Sequence, residues 1–355
     1  MWQVLFKISV FSQMMKRGTL LLSILLLIGL LAACGQSSST GNTASGSPSA
    51  SAESSGTESS SAESPSASPM ESDTETRTIS TVKGDVVVPA HPKKIAGMLY
   101  VFADHLLALG IEPHAMVTYN DLGFPDYMAD QMKNTIEIGS GEAPNYEALL
   151  EAAPDLILAS KTLSDSNYDQ LSKIAPTILF DNENEGDWER FHETAAVFGM
   201  EAEAERIQAE YDKKVADAHD KLAAAAPNET VAFMRVQDKQ LQLIQPSDNF
   251  VMFGALGLTP ASVEAVDFKD SWNVPISAEV LPELNPDRMF IILRPGDVNK
   301  VALDTIMSTS IWSNLNAVKN NRVYIGDANL WFAGYGPIGL NKIIDEITTA
   351  FSLNS

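Results

Sequence analysis

Two arginines in apolar settings are the residues whose placement most needs a chemical reason. Arg235 interrupts the apolar run Val231, Ala232, Phe233 and Met234, a costly place for a charge unless it faces a cleft or a partner. Arg294 stands where a second apolar run, residues 289–293, comes to its end. Paired guanidiniums suit an oxygen-rich, anionic ligand, and planar aromatics suit its apolar parts. Aromatic and amide candidates on neighbouring loops are Tyr119, Asn120, Trp272, Trp331 and Tyr335, with Tyr100 after the first strand as an extra one. The competing readings are a structural ion pair for Arg235 and core or lid positions for Trp272 and Trp331. Trp188 and Trp312 fall on helices with apolar neighbours and are assigned to packing.

Other chemistries find little support. The five histidines, His91, His105, His114, His192 and His219, show no paired spacing such as H-x-H, so direct capture of zinc or manganese is not expected. Neither Gly139-Ser140-Gly141 nor Gly46-Ser47-Pro48 makes the G-x-S-x-G elbow of a hydrolase. No Gly-rich phosphate loop follows the first strand. No catalytic residue and no cofactor are assigned. A lipid-anchored extracellular hydrolase stays as the alternative of a different class, to be separated by ester turnover.

These candidates must be positioned by two halves and a connector. Residues 201–226 hold no Gly or Pro and are rich in Ala, Glu and Lys, all strong helix formers. Ile207, Tyr211, Val215, Ala218 and Leu222 form one apolar stripe, and Pro227 ends the run. Such a helix spans about 39 Å, which suits a strut between two lobes. The flanks resemble each other. Ala108-Leu109-Gly110-Ile111-Glu112-Pro113 precedes the strut, and Ala255-Leu256-Gly257-Leu258-Thr259-Pro260 follows it. The spacing E-x-L-x-E-x-x-P-D occurs at Glu147 to Asp155 and again at Glu279 to Asp287. Each Glu begins a predicted helix just after Asn145 or Ser277, where a carboxylate is favoured by the helix dipole.

Strands and helices alternate in both halves, which predicts an α/β fold of two Rossmann-like lobes with mainly parallel sheets. The expected segments are a first lobe over 78–200, the linking helix over 201–226 and a second lobe over 227–355. The ligand cleft is expected between the lobes, at loops on the carboxyl ends of strands.

The formal net charge of −22 argues against nonspecific binding of nucleic acid or anionic lipid. The sole cysteine, Cys34, rules out a disulfide framework. It follows Lys16-Arg17, an apolar core and Leu31-Ala32-Ala33, so residues 1–33 resemble a bacterial lipoprotein signal peptide ending in a lipobox. That resemblance implies lipidation of Cys34 and an extracytoplasmic protein anchored to the outer face of the cell membrane. Met15 competes with Met1 as the start. Residues 34–77, rich in Ser and poor in large apolar side chains, read as a disordered tether.

The chain as a whole resembles the substrate-binding lipoproteins of bacterial ABC importers, in the helix-linked two-lobe type that serves iron–siderophores, haem and vitamin B12. The likeness runs from about residue 78 to 351. It is carried by Pro92-x-x-Ile95, Leu109-Gly110-Ile111-x-Pro113, Pro144-Asn145-Tyr146-Glu147, Pro154-Asp155-Leu156-Ile157, residues 276–281, Trp312-x-x-Leu315, Arg322-Val323-Tyr324, Trp331 and Gly336-Pro337. It implies a monomeric receptor whose ligand is a ferric siderophore, with Glu147 and Glu279 contacting arginines of the permease subunits. Haem, with Tyr119 or Tyr335 as an axial ligand, and vitamin B12 are the alternatives within the same fold. Neutral B12 would not call for two arginines.

Overall fold

The computed structural model describes residues 75–119, 123–181, 187–269 and 271–352. Cys34, the signal-like segment and Asn120 lie outside them. An antiparallel hairpin, β1 (Thr76–Thr81) and β2 (Gly84–Pro89), opens the fold. Its turn falls at Val82 and Lys83.

The first lobe is built on a wholly parallel sheet of β3 (Ile95–Gly97), β4 (Ala115–Thr118), β5 (Ile136–Ser140), β6 (Leu156–Ser160) and β7 (Thr177–Phe180). Helix α1 (Val101–Ala108) crosses from β3 to β4, and α2 (Tyr146–Ala152) leads into β6. Short helices α3 (Lys161–Ser164) and α4 (Tyr168–Leu171) lead into β7, and α5 (Asp187–Val197) follows it. Both faces of the sheet are buried. Ile95, Met116, Leu156 and Leu158 pack on one side, and Ala96, Val117, Ile157 and Ala159 on the other. That is why these strands read as continuous apolar runs.

The linking helix is α6 (Glu201–Ala225). Near its start Ala204 joins a cluster with Leu109 and Phe191 of the first lobe. Farther along, Tyr211, Ala218 and Leu222 join the second lobe's core beside Phe233 and Ile344. One apolar stripe therefore serves two cores, while Arg206 bridges Glu203 and Glu210 on the solvent side.

In the second lobe the strands are β8 (Thr230–Gln237), β9 (Gln240–Ile244), β10 (Thr259–Pro260), β11 (Asn273–Ile276), β12 (Arg288–Leu293) and β13 (Val323–Asp327). Its helices are α7 (Leu281–Leu284), α8 (Asp297–Met307), α9 (Ser310–Ser313), α10 (Asn316–Lys319), α11 (Ala328–Ala333) and α12 (Pro337–Ser352).

The two sheets run in matched order, β5-β4-β3-β6-β7 against β11-β9-β8-β12-β13. The repeated Pro-Asp does the same work in each. The Asp155 carboxylate accepts from the Lys93 and Lys94 amides at the head of β3 (2.8 and 2.9 Å). The Asp287 carboxylate accepts from the Thr230 amide at the head of β8 (2.9 Å). The lobes differ at one connection. Where α1 joins β3 to β4, a two-residue loop with both Asp238 and Lys239 at positive φ joins β8 to β9. Loops of that kind fit the twist of an antiparallel hairpin, so β9 runs antiparallel and the second sheet is mixed.

One local expectation is revised. Ser277 does not cap a helix; residues 278–280 form a 3-10 turn before α7. Residues Phe250–Ala255 form a π-helical turn capped by Asn249, whose side chain accepts from the Met252 amide (2.9 Å).

A buried contact pins the lobes together. Asp104, on α1 and 0% exposed, accepts from the Ile338 and Gly339 amides at the start of α12 (2.8 Å each) and from the Tyr127 hydroxyl (3.1 Å). The first amides of a helix have no partner within it; here the other lobe supplies one. Gly336 is required beside it, because a Cβ there would lie 2.4 Å from the Asp104 carboxyl carbon.

Candidate functional site

A cavity of about 910 Å³ opens between the lobes and reaches back to α6. The first lobe contributes through strand ends, as expected. Tyr100 follows β3 and Tyr119 follows β4, their rings edge to face at 5.0 Å. The second lobe contributes differently. Because β9 turns back along β8, the π-helical turn that follows it, with the exposed Phe250, comes to the rim, and Phe233 on β8 presents a sheet face to the cavity.

Arg235 shares the strand face of Val231 and Phe233, as the period of two requires. Its Nε donates to Gln242, its cross-strand partner, and its guanidinium lies 4.1 Å from the centre of the Trp272 ring and 5.8 Å from that of Phe332. It makes no ion pair among the described residues. Burial first, then the charge of Arg294, holds its pKa below the ordinary value, while Tyr119 and Asp238 act the other way. Arg294 itself is exposed past the end of β12 and does not line the cavity.

The aromatic candidates divide. Trp272 is 42% exposed and Tyr335 half-buried, and both line the cavity. Tyr119, also half-buried, lines it too. Trp331 is 3% exposed; its Nε1 donates to Glu346 (2.7 Å) and its ring tilts against Phe233 and Phe290, so it belongs to the cavity floor. Trp312 is buried in the core, as assigned. Trp188, assigned to packing, does stack on Tyr211 (4.9 Å) but also lines the cavity. Sequence reasoning missed Phe250, Phe332 and Tyr211 as cavity residues. The last was visible only as a stripe residue of α6.

Charge in the lining is acidic. Asp187, Glu189, Asp212 and Asp248 line the cavity, and no Lys, Arg or His does. Asp187 opens α5, 3.5 Å from Arg190. Burial raises its pKa despite that guanidinium. Burial, with a smaller push from Asp187 among other groups, lifts the Tyr100 and Tyr211 phenols to about 12 and Tyr335 further.

Glu147 and Glu279 are exposed at corresponding places in the two lobes. The Asn145 side chain accepts from the Glu147 and Ala148 amides (3.1 and 3.0 Å), capping α2. Ser277 instead hydrogen-bonds the Glu279 carboxylate, which with the Glu279 amide holds its pKa below the usual range. Among the described residues no three His, Cys, Asp or Glu side chains gather to hold a metal ion.

Residues 102–330 match the periplasmic binding protein family. The chain belongs to that family. Among its relatives is the iron(3+)-hydroxamate-binding protein YxeB of Bacillus subtilis, 31% identical over 286 residues, covering 78% of this chain and 85% of that one. The probable siderophore-binding lipoprotein YfiY of the same organism is 30% identical over 292 residues, covering 79% and 89%. Among solved structures, Staphylococcus aureus SirA complexed with staphyloferrin B aligns at a TM-score of 0.62 and 25% identity, over 78% of this chain and 99% of that one. The fold, two lobes on one long helix, is the one this similarity requires. These family members are binding proteins by name.

Proposed function

We propose that this protein is the extracytoplasmic receptor of an ABC importer, noncatalytic, which takes up a ferric siderophore in the cavity between its lobes. The observation that carries this reading is the cavity itself. It is of ligand size, bordered by both lobes, and walled by Tyr100, Tyr119, Trp188, Trp272, Phe332 and Tyr335. A concave, mostly apolar site with a few placed polar groups is what a small-molecule binder presents. The names of YxeB, YfiY and SirA's ligand support the cargo class.

In this reading the ferric complex sits between the lobes, Trp272, backed by Arg235, meets it from the second lobe, and Glu147 and Glu279 present the loaded receptor to the permease. Cys34 carries the lipid that holds it at the membrane. Three tryptophans border the cavity, so titrating the full chain with ferric siderophores should give saturable quenching of fluorescence. Iron-free siderophores should bind more weakly. Absence of saturable quenching across hydroxamate, catecholate and carboxylate complexes would overturn the reading, and ester turnover by the same preparation would favour a hydrolase.

A further inference from the structure

The arginine pair read from the sequence calls for an anionic ligand, and the structure does not deliver that pair to the cavity. Arg235 is committed to Gln242 and to the faces of Trp272 and Phe332, and Arg294 stands outside the lining. Four acidic residues line the space instead. Counting Arg190 and Arg235 behind the walls against them still leaves an excess of negative charge. A multiply charged anion would enter against that field, and the low-dielectric aromatic walls would strengthen the repulsion.

One of the four carboxylates is distinctive. Glu189, Asp212 and Asp248 are exposed, whereas Asp187 is partly buried and lines the same cavity as Tyr100, Tyr211 and Tyr335. Its nearest guanidinium, at 3.5 Å, is long for a charge-assisted hydrogen bond. A partly desolvated carboxylate in a cavity walled by aromatic rings is an arrangement that attracts an organic cation. Phe250 at 73% exposure and Trp272 at 42% leave bare apolar surface at the rim to cover the rest of a ligand.

We propose that the cargo is a ferric complex of neutral or positive overall charge with an ammonium or guanidinium arm, which Asp187 receives among Tyr100, Tyr211 and Tyr335. The proposal rests on the receptor reading above and names the chemical class within it.

Three probes test it on the full chain by fluorescence titration at low ionic strength. They are a linear ferric trihydroxamate ending in a primary ammonium, its N-acetylated counterpart, and a triply anionic ferric tris-catecholate. Acetylation should raise Kd about tenfold or more, and the tris-catecholate should bind about a hundredfold more weakly than the ammonium complex. Raising the salt concentration should shrink the acetylation ratio. In Asp187→Asn that ratio should fall toward one. The comparison of ligands on the unmodified chain stands even where the variant folds poorly. Equal affinity for the ammonium and acetylated complexes, or tighter binding of the tris-catecholate, would overturn this inference and leave the receptor reading intact. Failure of all three to bind would overturn this inference, and failure of ferric carboxylate complexes as well would overturn the receptor reading.

Discussion

Arg235 is held by one hydrogen bond and two aromatic faces, so its removal takes away a cation and also the support beneath Trp272. Arg235→Ala is expected to weaken ferric-siderophore binding by about 1–2 kcal/mol, less than for a fully desolvated charge. An unchanged Kd in the quenching titration would remove Arg235 from the site. A second buried guanidinium is structural. Arg288, 4% exposed, donates to Glu229 (2.6 Å) and to the Ala350 carbonyl (3.2 Å) and covers the Phe351 ring, while Arg322 also donates to Glu229. Glu229→Ala should therefore lower the unfolding free energy by about 3–5 kcal/mol, read by urea denaturation, with little change in ligand affinity. Arg235 was legible because a charge in an apolar strand needs a reason. Arg288 stands in a similar setting, but its partner lies 59 residues away and no local spacing announces it.

At the scale of elements, α1 and α12 are joined by one carboxylate. Burial drives the Asp104 pKa from 3.8 up to about 6, although its hydrogen bonds from Ile338, Gly339 and Tyr127 pull it back. A carboxyl whose folded pKa is raised contributes stability that is fully present below the unfolded pKa and is lost as pH rises through the folded one. The difference in Tm between wild type and Asp104→Asn should thus shift against the wild type as pH rises from about 4 to about 6. A pH-independent difference would refute the assignment. Asp104→Ala should destabilise at every pH, because two amides of α12 lose their acceptor. The sequence carried the linking helix to within a residue of its end, since propensity, stripe and Pro227 all agree. It did not show the π-helical turn or the extended β11, whose backbone follows from the antiparallel β9 it pairs with. Phe250 was hidden for that reason.

For the whole molecule, the repeat visible in the sequence corresponds to matched strand order and to the same Pro-Asp latch in both sheets. That agreement makes the corresponding positions of Glu147 and Glu279 more than a coincidence of spacing. Reversing both charges, Glu147→Lys with Glu279→Lys, should abolish siderophore-dependent iron uptake in cells while the Kd of the isolated receptor stays constant. Lost affinity would instead tie these residues to the ligand. The Asp104 contact also bears on how the chain is made. Its carboxylate and the amides it serves are separated by 234 and 235 residues, so a first half emerging ahead of the rest holds a charge whose mates have not yet arrived. A chain cut before residue 337 should fail as a whole, with the early half prone to proteolysis, and the last helix to arrive acts as the closing stitch of the first.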